Sequence, residues 1–195
     1  MDFEELLASF FAAFYGCYGL PFSGYRGHRG NDPLGLQLAN LAYQTSHTTL
    51  QDLQAQIQDI VNQNPEQALA VLQNISNEVL LTANINWGRV VALLAFLALV
   101  AVTATKDKNI GIEVLVFEFI LFLLRGHLGQ WIVNEGGGAE GFTLWASVRQ
   151  GGRVHPIEHP QGRRFSWWNI ICTVLISGAA GAILLALLMA RRQRQ

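Results

Sequence analysis

Residues 90–124 read VVALLAFLALVAVTATKDKNIGIEVLVFEFILFLL, and the architecture follows from how this run is interpreted. Val90–Thr105 is uncharged throughout, and Val114–Leu124 is apolar apart from Glu118. Both are shorter than the roughly 20 residues that cross a bilayer. Glu113, Glu118 and Arg125 interrupt or bound the second, and charge inside hydrocarbon is costly. Apolar helices of this length suit the interior of a globular domain. Lys106-Asp107-Lys108-Asn109-Ile110-Gly111 supplies a polar connection between them. The run predicts a buried helical hairpin, with two membrane spans as the alternative.

Working outward, helical signals continue. Asn64-Pro65-Glu66-Gln67 combines an N-cap residue, a proline at the first helical position and a Gln at the third. Leu69, Leu72, Ile75 and Val79 follow at helical spacing, and Leu50, Leu53, Ile57 and Ile60 form an earlier stripe. Residues 3–15, rich in Phe, Leu and Ala, predict a first apolar helix. Gly- and Pro-bearing stretches at 16–35 and 149–162 read as loops. No segment alternates with period two for long enough to argue a strand, so the fold class is all-α.

Downstream, Ile170–Ala190 spans 21 uncharged residues, long enough to cross a hydrocarbon core of about 30 Å. Trp167 and Trp168 stand at one end, where interfacial tryptophans sit, with Arg163 and Arg164 before them and Arg191, Arg192 and Arg194 beyond the other end. The expected organisation is a helical domain over 1–148, a basic linker over 149–166, a transmembrane tail anchor over 167–190 and a basic tail over 191–195. The acidic start, Met1-Asp2-Phe3-Glu4-Glu5, lacks the positive charge of a secretory signal and predicts a cytosolic domain.

Charge is distributed unevenly. Residues 1–148 hold 13 acidic and 6 basic side chains, whereas 149–195 hold 1 and 7. Positive charge confined to one terminal block argues against a nucleic-acid surface. With 51% apolar and 14% charged residues, the chain is not disordered. Cys17 and Cys172 give neither a disulfide framework nor a four-ligand zinc site.

Catalytic and metal-binding patterns are weak. His155 and His159 have helical ligand spacing, but Pro156 and Pro160 oppose a helix there. Gly136-Gly137-Gly138 has no preceding strand and no following Lys-Ser/Thr, so it reads as a corner between helices rather than a phosphate cradle. Asn74-Ile75-Ser76 matches a glycosylation sequon, but falls in mid-helix. No serine or cysteine has a recognisable base partner. The expectation is a protein that is not an enzyme and takes no cofactor or metal. Asn86-Trp87-Gly88-Arg89 differs, placing an amide, an indole, a glycine and a guanidinium at the mouth of the most apolar helix. An arginine there must reach water or a carboxylate. A docking site and a surface ion pair fit this equally.

Asn86-Trp87-Gly88-Arg89-Val90-Val91-Ala92-Leu93-Leu94 resembles the first homology motif of the Bcl-2 family of apoptosis regulators. Trp131-Ile132-Val133-Asn134-Glu135-Gly136-Gly137-Gly138, some forty residues on, resembles the second motif. It departs at Gly138, where a tryptophan is usual; Trp145 is the candidate substitute. The resemblance covers residues 75–138, with the tail anchor agreeing in architecture. It implies a Bcl-2-like bundle of about eight helices around the hydrophobic hairpin, plus a C-terminal transmembrane helix. It also implies a groove that receives the amphipathic third-motif (BH-3) helix of pro-apoptotic relatives. By motif, Arg89 would pair with that helix's aspartate, Asn86 would hydrogen-bond to it, and Gly88 would admit its small residue. Val91, Ala92 and Phe96 would line the apolar floor, and Trp87, Trp131, Gly136 and Gly137 would be structural. Homo- or hetero-dimers are open under the same resemblance.

The chain's own third motif is expected at Leu36–Tyr43, with Leu36, Ala39 and Tyr43 as its large, small and large positions. Asn40 and Leu41 stand where glycine and aspartate are usual. Lacking that aspartate, the segment would form a wall of its own groove. This favours a pro-survival member; a Bak/Bax-like effector that oligomerises and permeabilises the mitochondrial outer membrane is the alternative. The expected location is the mitochondrial outer membrane facing the cytosol, or the endoplasmic reticulum membrane.

Overall fold

The computed structural model describes residues 1–22, 30–48, 50–81 and 85–150. The expected anchor and basic tail, nearly all of the linker, and His155 and His159 lie outside the described residues. Among those described there are eight α-helices and no strand. They are α1 (Phe3–Cys17), α2 (Pro33–Thr48), α3 (Gln54–Val61, after a 3-10 turn at Gln51–Leu53), α4 (Pro65–Leu81), α5 (Trp87–Lys106), α6 (Ile110–Arg125), α7 (His127–Asn134) and α8 (Gly138–Gln150).

Helix α5 is the axis of the bundle. Of its 20 residues, 15 are buried, and it touches α1, α2, α3, α4 and α6. A helix apolar all round must be enclosed by protein or lipid. Here protein encloses it, although by length and composition it could also cross a membrane. Each buried Leu, Val or Phe contributes about 1.5–3 kcal/mol. Helix α6 completes the predicted hairpin, burying Ile112, Val116, Phe117, Ile120 and Leu124 against its neighbours.

The α4 start follows the cap read from sequence, and α1 has a cap that was not. Asp2 Oδ1 accepts from the amides of Glu4 and Glu5 at 3.0 and 3.2 Å, and Asn64 Oδ1 accepts from Gln67 N at 2.9 Å. The expected loop at 16–35 ends earlier, at Asp32. Pro33 takes the first helical position of α2, and Asp32 Oδ1 accepts from Gly35 N at 2.8 Å. Gly35 is therefore an interior helical residue, and its lack of a side chain serves a crossing. A Cβ there would lie 2.4 Å from the Leu6 carbonyl oxygen and 2.8 Å from Ser9 Cβ. Ser9 Oγ donates to Glu5 O at 2.8 Å and accepts from Asp32 N at 2.6 Å, so one buried hydroxyl ties α1 to the start of α2. The contact between α1 and α2 is the most extensive of any helix pair.

The tip of the α5–α6 hairpin is fastened by polar groups. Tyr15 O–H donates to Glu113 Oε1 at 3.0 Å and lies 2.9 Å from Thr105 Oγ1, joining α1, α5 and α6. Asn109 Oδ1 caps α6 through Ile112 N at 3.3 Å, while its amide donates to Val61 O at the end of α3, at 2.8 Å. Gln58 reaches Asp107, and Lys106 Nζ sits 5.0 Å above the Tyr18 ring. Burial, with Glu113 alongside, raises the Tyr15 pKa well above its ordinary value of 10.0.

Candidate partner-helix site

Asn86 terminates the connection into α5 in an extended conformation, and its Oδ1 accepts from Arg89 N at 3.1 Å. This is an N-cap: the side chain satisfies one of the amides that a helix start leaves unpaired. Asn86 is exposed, and the cap uses only its oxygen, which keeps the amide NH2 donors for an acceptor arriving from outside.

One residue on, Trp87 turns inward. It is 5% exposed, and its Nε1–H donates to Gly136 O at 2.9 Å. The ring meets Trp131 edge-on with centroids 5.2 Å apart, and Phe142 edge-on at 5.0 Å. The two motifs read separately in the sequence are thus one physical unit. Trp131 and Gly136 are its buried members.

The turn between α7 and α8 depends on glycine. Gly137 and Gly138 both have positive φ, 72° and 58°, a region that side chains rarely adopt. Position 138 is the start of α8 and a left-handed turn residue, a conformation glycine adopts without steric cost. Gly141 allows closer approach still, since a Cβ there would lie 1.9 Å from the Gly136 carbonyl oxygen. Phe142 is fully buried, and Trp145 packs on it with centroids 5.7 Å apart. Trp145 also faces Gly88, its ring 3.7 Å from where a Gly88 Cβ would stand. It therefore occupies the space beside the first motif. Neither Gly141 nor Phe142 was singled out from the sequence. The pairing of Gly136 with Gly141 across a helix start was the available signal.

Arg89 is not at the surface. It is 9% exposed, and among its contacts Nη1 donates to Val79 O at 3.2 Å, in the last turn of α4. The guanidinium points to a carbonyl at a helix end rather than to open water. Val91 and Phe96, expected on the groove floor, are 2% and 1% exposed and lie within the core; Ala92 is half-buried. The motif residues Asn86, Gly88 and Arg89 gather at the α5 N-terminus, whereas Phe96 lies two turns deeper.

Of the positions expected for the chain's own third motif, Ala39 is fully buried and Tyr43 half-buried on α2. Leu36 is 39% exposed, while Leu34, Leu38, Leu41 and Ala42 are buried. At about 100° per residue, positions 34, 38 and 41 form one stripe, and 36 falls on the opposite side. Tyr43 leans instead toward Tyr18 and His47, with centroids 5.4 and 4.5 Å away. The absence of a carboxylate is independent of register, because no residue from Pro33 to Thr48 is acidic. Between α2 and α8 lies an open cleft of about 270 Å³, bounded by Gln37, Asn40, Leu41 and Gln44 on one side and Thr143, Ala146 and Ser147 on the other.

The described residues form an all-helical bundle around an apolar hairpin, with a Trp-Gly-Arg turn locked to a Trp-(x)4-Gly-Gly turn. The sequence profile described as apoptosis regulator proteins, Bcl-2 family, matches residues 38–137. The chain belongs to the Bcl-2 family. Searches of curated proteins and of solved structures give no significant match.

Proposed function

We propose that this chain is a pro-survival regulator that sequesters the amphipathic third-motif helices of death-promoting relatives, without catalytic activity or cofactor. The observation that carries the reading is the Asn86–Arg89 turn, held beside α8 by the buried Trp87–Gly136 hydrogen bond. A partner aspartate arriving there would meet the Asn86 amide and the Arg89 guanidinium, and charge-assisted bonds of this kind fix register. Buried apolar anchors supply most of the affinity in such helix-in-groove complexes. A helix is about 10 Å across, so the α2–α8 cleft must widen to admit one. The pro-survival sign is supported by α2, which carries no carboxylate to offer a neighbour's groove and is pinned to α1 through Gly35 and Ser9.

The Ile170–Ala190 run and its flanking arginines support a tail anchor in the mitochondrial outer membrane, or else the endoplasmic reticulum. Membrane attachment is checked by alkaline extraction of the full chain beside a chain lacking residues 163–195. Retention of the truncated chain would instead make the hairpin the spanning element.

Calorimetry of the protein against a panel of amphipathic peptides tests the groove. Arg89→Ala weakens binding by about 1.5–3 kcal/mol, roughly ten- to 150-fold. Absence of binding to every peptide removes the reading. Dye-loaded liposomes test the sign. Suppression of release by a Bak-type effector supports sequestration, whereas release by this protein alone reverses it.

A further inference from the structure

We infer that Arg89 is a two-position latch: in the partner-free protein it caps the C-terminus of α4, and a partner's carboxylate must draw it away from there. The inference rests on the groove reading above and adds a coupling between the groove and the end of α4. Val79 is in the last turn of α4, which ends at Leu81, so its carbonyl is among the four that a helix leaves without an intrahelical donor. Arg89 Nη1 donates to that oxygen at 3.2 Å in a buried site, placing a full positive charge at the negative end of the α4 dipole. The same guanidinium is the motif's cationic group, and at 9% exposure it is not presented to a partner in this arrangement.

A guanidinium has five N–H donors in one rigid fork. One of them meets the α4 carbonyl, and with the group only 9% exposed, reaching an arriving carboxylate requires the side chain to swing outward from that carbonyl. Engagement of the partner's charge and capping of α4 are therefore competing states. By linkage, whatever stabilises the α4 terminus weakens the charged part of partner binding, and the reverse holds equally. This makes the aspartate of the incoming helix a trigger, distinct from the apolar anchors that only fill space.

Amide hydrogen exchange on the full-length protein in lipid nanodiscs tests this, read over backbone amides 78–81 and, as reference, over α6 and α7. Three samples are measured: free protein, protein saturated with a four-anchor amphipathic peptide containing the aspartate, and protein saturated with the same peptide carrying Asp→Ala. The aspartate peptide is expected to leave amides 78–81 exchanging about three- to tenfold faster than the Asp→Ala peptide does, with α6 and α7 equal in both. Without peptide, Arg89→Ala produces the same acceleration and Arg89→Lys a smaller one. Equal exchange at the α4 terminus with the two bound peptides overturns the latch while leaving the groove intact. Failure of both peptides to bind overturns the groove reading. In that case the Arg89→Ala sample decides whether the cap exists, and unchanged exchange there removes it. Because the peptide pair leaves the protein unaltered, the test survives if Arg89→Ala fails to fold.

Discussion

The two ends of α5 are held by opposite chemistry. At its C-terminal end, Tyr15, Thr105, Glu113, Asn109 and Gln58 bind the hairpin tip through directed hydrogen bonds to α1 and α3. At its N-terminal end, Trp87, Trp131, Phe142 and Trp145 pack ring against ring, with the Trp87–Gly136 and Arg89–Val79 hydrogen bonds beside them and glycines that bring two turns together. Hydrogen bonds are lost steeply with misalignment, whereas most of what buried rings contribute is non-directional burial of apolar area. The polar end is suited to staying fixed. The aromatic end, which carries Asn86, Gly88 and Arg89, is suited to adjusting around a guest.

Four substitutions probe this contrast, from the largest expected effect to the smallest. Gly141→Ala forces a Cβ into the Gly136 carbonyl and should cost about 3 kcal/mol. Thermal unfolding with near-ultraviolet circular dichroism would show it, and an unchanged melting temperature would mean that the α7–α8 turn is not tightly built. Trp87→Phe keeps the ring stacking but leaves the buried Gly136 carbonyl without its donor, an expected loss of about 1–3 kcal/mol by urea unfolding.

At the other end, Tyr15→Phe removes one hydroxyl serving two partners and should cost about 1–1.5 kcal/mol. It also carries a pH signature. The Tyr15 pKa is raised in the folded state, chiefly by burial, so the neutral form is favoured there. That stabilisation is complete below the unfolded tyrosine pKa of about 10 and is lost as pH rises beyond it. Tyr18, also raised mainly by burial, adds to the same alkaline fall. Unfolding titrations from pH 8 to 11 should show stability declining above about pH 10, less steeply in Tyr15→Phe; parallel curves would remove Tyr15 as a cause. Asn109→Ala loses the α6 cap and the bond to Val61, an expected effect of about 1 kcal/mol. Stability equal to that of the parent protein would remove Asn109 as one of the ties that hold this end.

Much of this fold was legible in the sequence because it rests on local signals. The uncharged run from Val90, the polar Lys106–Gly111 connection and the Asn64-Pro65 cap each carry their meaning within a few residues. The α2 start was misplaced because Pro33 and Gly35 signal a loop locally. The helix itself begins on a local signal, Asp32 as cap and Pro33 at the first position, and the Leu6 backbone, some thirty residues away, explains only why position 35 has no side chain. Which α2 positions are buried is hard to read for a related reason: apolar residues occur on more than one side, and the contacts with α1 and α5 decide. At the site, Asn86, Trp87, Gly88 and Arg89 were identified, yet the direction of Arg89 was not. Its carbonyl partner on α4 is a backbone atom, present at every residue and so invisible in a residue pattern.

The Trp87–Trp131–Phe142–Trp145 set has an optical consequence. Trp87 and Trp131 are enclosed, whereas Trp145 is half-buried beside Gly88, where an incoming helix would press. Indole emission shifts to longer wavelength as the ring becomes wetter, so the protein carries its own reporter at the adaptable end of α5. The other two tryptophans, Trp167 and Trp168, flank the apolar run of the tail and would respond to lipid instead. Replacing them with phenylalanine would leave a chain whose intrinsic fluorescence follows occupancy of the groove alone, with no dye attached.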